Sequence, residues 1–151
     1  PLYRAYQTGF EKFEAVEADT VATAIKIGNP VNYPKAVRAI QWTEGVVEQV
    51  TDQQIMDAKA LIDAQGIGCE PASACSLAGV KKLVESGVIK PHETVVGILT
   101  GHVLKDPDAT IAYHEGLLDN IESAYPNRVF AAAPTVESLS EILSDSTLTL
   151  V

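Results

Sequence analysis

The stretch Val46-Val47-Glu48-Gln49-Val50-Thr51-Asp52-Gln53-Gln54-Ile55 carries the reading of the fold. Its first half, Val46 to Val50, is strand-like. Thr51 then opens a helix with Gln54 three residues on, the spacing at which a cap and the third helical residue satisfy each other's backbone N–H. Ile55, Ala58 and Ile62 form that helix's apolar stripe with Leu61 beside them, and Gly66 stands at its C-terminal stop. Working outward, Ala72 to Ser86 predicts a second helix with Leu77, Val80 and Val84 on one face. Thr94 to Leu99 is a short continuous apolar run, read as a buried strand.

The flanks repeat the alternation less legibly. Pro1 to Thr8 predicts a short amphipathic helix ended by Gly9. Val21 to Ile27 is mostly apolar and stops at Gly28-Asn29-Pro30, a strong breaker. A helix is expected from Pro34 to about Thr43, with Asn32 near its start and Gly45 after its end. Asp108 to Ser123 reads as helix, Arg128 to Ala133 as strand, and Thr135 to Leu143 as a last helix. Strands alternating with helices predict an α/β layer fold with a largely parallel sheet. No linker or repeat divides the chain, so residues 1–151 read as one unit.

Composition narrows the class. The chain has 151 residues and a mean hydropathy near zero, at +0.09. With a formal net charge of -9 it lacks the basic surface that nucleic acid requires. Two cysteines, Cys69 and Cys75, are too few for a disulfide framework, which points to a reducing cytosol. No apolar run reaches the roughly 20 residues that span a bilayer, and no signal or transit peptide is visible. The start at Pro1, without methionine, reads as processed or trimmed.

Two segments suggest chemistry by themselves. Leu99-Thr100-Gly101-His102 places a hydroxyl and a glycine at a strand end, where open α/β sheets bind ligands. The competing reading is a polar strand end followed by a turn. Gly68-Cys69-Glu70-Pro71-Ala72-Ser73-Ala74-Cys75 joins small residues and a carboxylate to a helix start, where Glu70 serves equally as a helix-dipole partner. His92, His102 and His114 have no metal-ligand spacing, and no metal site is expected.

Three segments together resemble the threonine synthase family. They are Thr20-Val21-Ala22-Thr23-Ala24-Ile25-Lys26-Ile27-Gly28-Asn29-Pro30, then Cys69-Glu70-Pro71-Ala72-Ser73-Ala74, then Thr100-Gly101-His102-Val103-Leu104-Lys105-Asp106-Pro107. Their order and spacing follow that family across roughly Pro1 to Pro107. The resemblance implies the C-terminal part of a pyridoxal-phosphate enzyme of fold type II, with this chain in its large domain. It implies conversion of O-phosphohomoserine and water to threonine and phosphate. It implies Thr100 as the hydroxyl on the cofactor's pyridine nitrogen, Ala24 and Ile25 beside ring and substrate, and Glu70 near the pyridine edge.

Two departures stand out. Valine replaces the family's usual glycine at Val103, which would be strained if that position needed positive φ. The family's Ser-Phe-Lys-Asp segment, whose lysine forms the Schiff base, and its Gly-Asn-Ala-Gly-Asn phosphate loop do not occur. No catalytic residue is therefore assigned to this chain. Taken alone it is expected to be inactive, with the missing N-terminal part of the enzyme as its partner and room for a homo-oligomer. The alternatives are another fold type II lyase such as a serine/threonine dehydratase, or a non-catalytic binding module reusing half of this fold.

Overall fold

The computed structural model describes residues 1–145. Six α-helices and one 3-10 turn make up its regular structure: α1 (Leu2–Gln7), the turn Thr23–Ile25, α2 (Tyr33–Trp42), α3 (Asp52–Ala64), α4 (Pro71–Glu85), α5 (Pro107–His114) and α6 (Val136–Ser144).

The expected parallel sheet is not there: among the described residues no strand forms, and the architecture is all-helical. Residues 46–50, 94–99 and 128–133 run without regular structure. A strand exists only when a neighbour accepts and donates its backbone hydrogen bonds. None of these runs has such a neighbour among the described residues. The consequence is exposure: Val96 is 82% and Ile98 71% exposed in a run read as buried. Only Leu99, at its end, packs against the core.

The helices follow their local signals. Thr51 caps α3, its Oγ1 accepting from the Gln54 N–H at 3.2 Å while Gln54 Oε1 accepts from the Thr51 N–H at 2.9 Å. This closes two of the orphan donors at a helix start. Pro71 opens α4, where its missing N–H costs nothing. The end of α2 falls where expected, with Gly45 after it. Glu44, not Gly45, takes the left-handed conformation at φ 51°, and the Gly45 N–H returns to the Ile40 carbonyl at 2.8 Å. The helix expected over Asp108–Ser123 stops at His114, followed by the left-handed residues Gly116 and Asn120.

The core is the α3–α4 pair. Ile55, Ala58 and Ile62 of α3 meet Ala74 and Ala78 of α4, with Ala22 and Cys69 completing the cluster. The face of α4 that enters this core is therefore its alanine face. Leu77 and Val84, which share another face of the helix, are exposed. Alanine against alanine lets the two helices approach closely.

A second cluster occupies the other side of α3, where Met56 and Ala60 pack on Tyr113 of α5. The Tyr113 hydroxyl donates to Asp57 Oδ1 at 2.6 Å and accepts from the Tyr125 N–H at 3.2 Å. Burial first, then the Asp57 carboxylate, push the Tyr113 hydroxyl up to about 12. Beside them Lys59, only 1% exposed, pairs with Asp63 at 2.5 Å. Cys69 and Cys75 are free thiols. Burial raises both, Cys75 to about 11.

Candidate functional site

The turn 100–101 is fastened to the start of α4 by its backbone. The Glu70 N–H donates to the Gly101 carbonyl at 3.1 Å, and the Gly101 N–H donates to Ser73 Oγ at 2.8 Å. Gly101 is required here by contact. A Cβ on it would lie 1.9 Å from Glu70 Oε1 and 2.6 Å from Glu70 Cγ. The space left open by the glycine is thus filled by the Glu70 side chain rather than by a ligand.

Glu70 is 4% exposed, and its Oε2 has no hydrogen-bond partner. Its nearest opposite charge is Lys105 Nζ, at 3.7 Å, on a side chain that is 64% exposed. Glu70 stands at the N-cap position of α4 but makes no side-chain cap bond.

Thr100 is exposed, and its Oγ1 lies 3.2 Å from the buried Ser73 Oγ. Ser73 is the third residue of α4 and 3% exposed. Two hydroxyls and one backbone amide thus form a short chain from the helix start to the surface: Gly101 N–H, Ser73 and Thr100. Ser73 lies within the 69–74 segment but has no role assigned from the sequence. The signal was its place three residues after Glu70, facing the turn that carries Thr100.

The segment 20–30 reaches the same neighbourhood from the other side. Thr20 Oγ1 donates to Asp52 Oδ1 at 2.5 Å, and the Val21 N–H to Asp52 Oδ2 at 3.1 Å. Ala22, fully buried, inserts into the α3–α4 core. Thr23 Oγ1 lies 2.7 Å from both oxygens of Asp106, whose Oδ2 also accepts from the Thr23 N–H at 3.2 Å. This clamp ties the turn bearing Ala24 and Ile25 to the segment following Thr100. Asp106 takes φ 54° immediately before Pro107, a conformation disfavoured at a pre-proline position. Neither Thr23 nor Asp106 was singled out from the sequence, because only the fold shows that they meet.

Ala24 and Ile25 are both exposed. Ile25 lines a cleft of about 450 Å³ with Asp19, Thr51, Asp52, Ile55 and Cys75. Thr100 is not among the residues of that cleft. The structure therefore joins Thr100, Ser73, Gly101 and Glu70 into one cluster, and ties the turn bearing Ala24 and Ile25 to it through the Thr23–Asp106 clamp and through Ala22, which packs on α4.

The strain expected at Val103 does not arise. Its φ is not positive, and its side chain packs where Gly68 leaves room, 3.1 Å from where a Cβ at Gly68 would stand. The left-handed residue in this turn is Asp106. The histidines serve locally: His102 Nδ1 accepts from the Leu104 N–H, and His114 Nδ1 from the Asn127 N–H, each at 3.1 Å. Burial lowers the His114 pKa, which keeps its ring neutral and accepting.

Among the described residues no helix is long and apolar enough to cross a membrane. The chain is similar to the threonine synthase of Methanosarcina acetivorans, 52% identical over 113 residues, covering 74% of this chain and 28% of that protein. It is 56% identical over 98 residues to the threonine synthase of Methanocaldococcus jannaschii, covering 64% of this chain and 24% of that protein. The alignment to threonine synthase 2, chloroplastic, of Arabidopsis thaliana is 34% identical and takes in 96% of this chain and 28% of that protein. The chain thus spans about a quarter to a third of the length of the curated relatives it matches. The profile of the pyridoxal-phosphate dependent enzymes matches residues 1–101, which hold the three quoted segments through Thr100 and Gly101, and the chain belongs to that family.

Proposed function

We propose that this chain is one section of a threonine synthase, acting as a single unit in which residues 100–101 and 70–73 hold one edge of the cofactor. The observation that carries the reading is the joining of the 69–74 and 100–107 segments through Gly101, in a chain 52% identical to a threonine synthase. The donor set suits pyridoxal phosphate. Thr100 offers a neutral, exposed hydroxyl already held from behind by Ser73. A neutral hydroxyl matches an aromatic nitrogen that need not carry a proton, whereas a carboxylate there would enforce protonation.

When bound, pyridoxal phosphate supplies the electron sink for elimination and replacement chemistry. This chain's own share is to bind and orient. Thr100 would hold the pyridine nitrogen, while Glu70 packs behind Gly101 and keeps the turn in place. Ala24 and Ile25, on the clamped 3-10 turn, would lie beside the ring and substrate. The substrate would be O-phosphohomoserine, and the compartment a reducing, cytosolic one. The Schiff-base lysine and the phosphate loop have no counterpart in these 151 residues, so activity requires the rest of the enzyme.

The test is made on the complete enzyme carrying this section. Threonine and phosphate are expected in equal amounts from O-phosphohomoserine. Oxo-acid release from serine or threonine, without threonine formation from O-phosphohomoserine, would replace this reading with a dehydratase.

A further inference from the structure

We propose that Ser73 is a positioning residue that sets the direction of the Thr100 hydroxyl, making Thr100 a donor toward the ring nitrogen. This rests on the reading of Thr100 as the pyridine-nitrogen partner. The argument starts from the proton inventory. A serine hydroxyl has one proton to give and two lone pairs to accept with. The Gly101 N–H has no choice of role: it donates to Ser73 Oγ at 2.8 Å. One lone pair of Ser73 is therefore used.

The remaining question is which hydroxyl donates across the 3.2 Å between Ser73 Oγ and Thr100 Oγ1. A hydroxyl that already accepts a bond becomes a stronger donor and a weaker second acceptor, because each bond polarises the next. The start of α4 acts in the same direction. Ser73 lies in the first turn of that 15-residue helix, where the positive end of the backbone dipole stabilises the negative charge that builds on its oxygen as it donates. Ser73 therefore donates to Thr100, and Thr100 keeps its own proton free. Thr100 is exposed while Ser73 is 3% exposed, so that free proton points to the only member of the chain a ligand can reach. An unprotonated ring nitrogen, which accepts, is thereby favoured over a protonated one, which would have to use the one lone pair Thr100 has left.

The experiment is a double-mutant cycle on the complete enzyme, read as the dissociation constant of pyridoxal phosphate from absorbance titration of the apoenzyme. Thr100→Val is expected to weaken cofactor binding. Ser73→Ala alone is expected to raise the dissociation constant about threefold to tenfold, the worth of one hydrogen bond. In the Thr100→Val background the same Ser73→Ala change should alter it by less than about twofold. Ser73→Cys keeps the shape with a feeble donor and should resemble Ser73→Ala, which covers the case of a poorly folded alanine variant. Apoenzyme melting separates packing from orientation, since a purely structural Ser73 lowers stability and cofactor affinity equally in both backgrounds. Equal effects of Ser73→Ala with and without the Thr100 hydroxyl overturn the proposal while leaving Thr100 in the site. A Thr100→Val variant that binds cofactor as tightly as the parent overturns the reading of Thr100 itself.

Discussion

Gly101 shows how much of the site a single residue decides. Any side chain there must occupy the volume held by Glu70, with contacts under 3.0 Å to three of its atoms. Gly101→Ala is expected to destabilise the protein by about 1–3 kcal/mol, the usual cost of overpacking a filled space. Chemical denaturation of Glu70→Ala and of Glu70→Ala/Gly101→Ala checks the cause. With the obstructing side chain gone, the second substitution should cost almost nothing beyond the first. The sequence placed Glu70, Gly101 and Thr100 among the important residues, because each lies in a recognisable segment. It could not show that glycine is needed for a neighbouring side chain rather than a ligand. Nor could it pair Thr23 with Asp106, since 83 residues separate them.

Helix α3 carries a different tension. Lys59 sits 1% exposed, held by Asp63 four residues on. Asp63 uses its other oxygen to accept from the Cys69 N–H at 3.3 Å, so one carboxylate serves both the lysine and the loop into α4. Asp63→Ala leaves a buried ammonium without its partner and is expected to cost about 3 kcal/mol. Lys59→Met removes the charge and keeps the length, and should cost clearly less. Urea midpoints of the two variants decide, and an equal loss in both would show that the ion pair does not dominate. The helices themselves were legible because their signals are local: the Thr51–Gln54 box, Pro71, and the glycines after α3 and α4. The strands were not, because an apolar run such as Val95-Val96-Gly97-Ile98-Leu99 specifies a wish to be covered but not by what. Which face of α4 meets α3 was not legible for a related reason. That helix is apolar on two faces, and the pattern cannot say that alanines rather than Leu77 and Val84 meet α3.

At the scale of the molecule, two helices and a buried tyrosine organise a chain whose remaining apolar surface is open. Val46, Val96 and Ile98 are 49%, 82% and 71% exposed on segments whose backbone lacks a ladder. Such runs template association. Sedimentation of the purified chain should therefore show concentration-dependent oligomers, and Val96→Lys with Ile98→Lys should reduce them; a strictly monomeric parent would contradict this. The two thiols, Cys69 buried and Cys75 half-buried, have a further consequence for the whole chain. With Cys75 raised to about 11, its thiolate is scarce at neutral pH, and Cys69 is wholly covered. Both native thiols are therefore expected to react slowly with a maleimide dye. A cysteine introduced at Val31, 93% exposed and remote from the α3–α4 core, would be a single fast-reacting handle, so fluorophores or spin labels could be attached there without first removing either native sulfur.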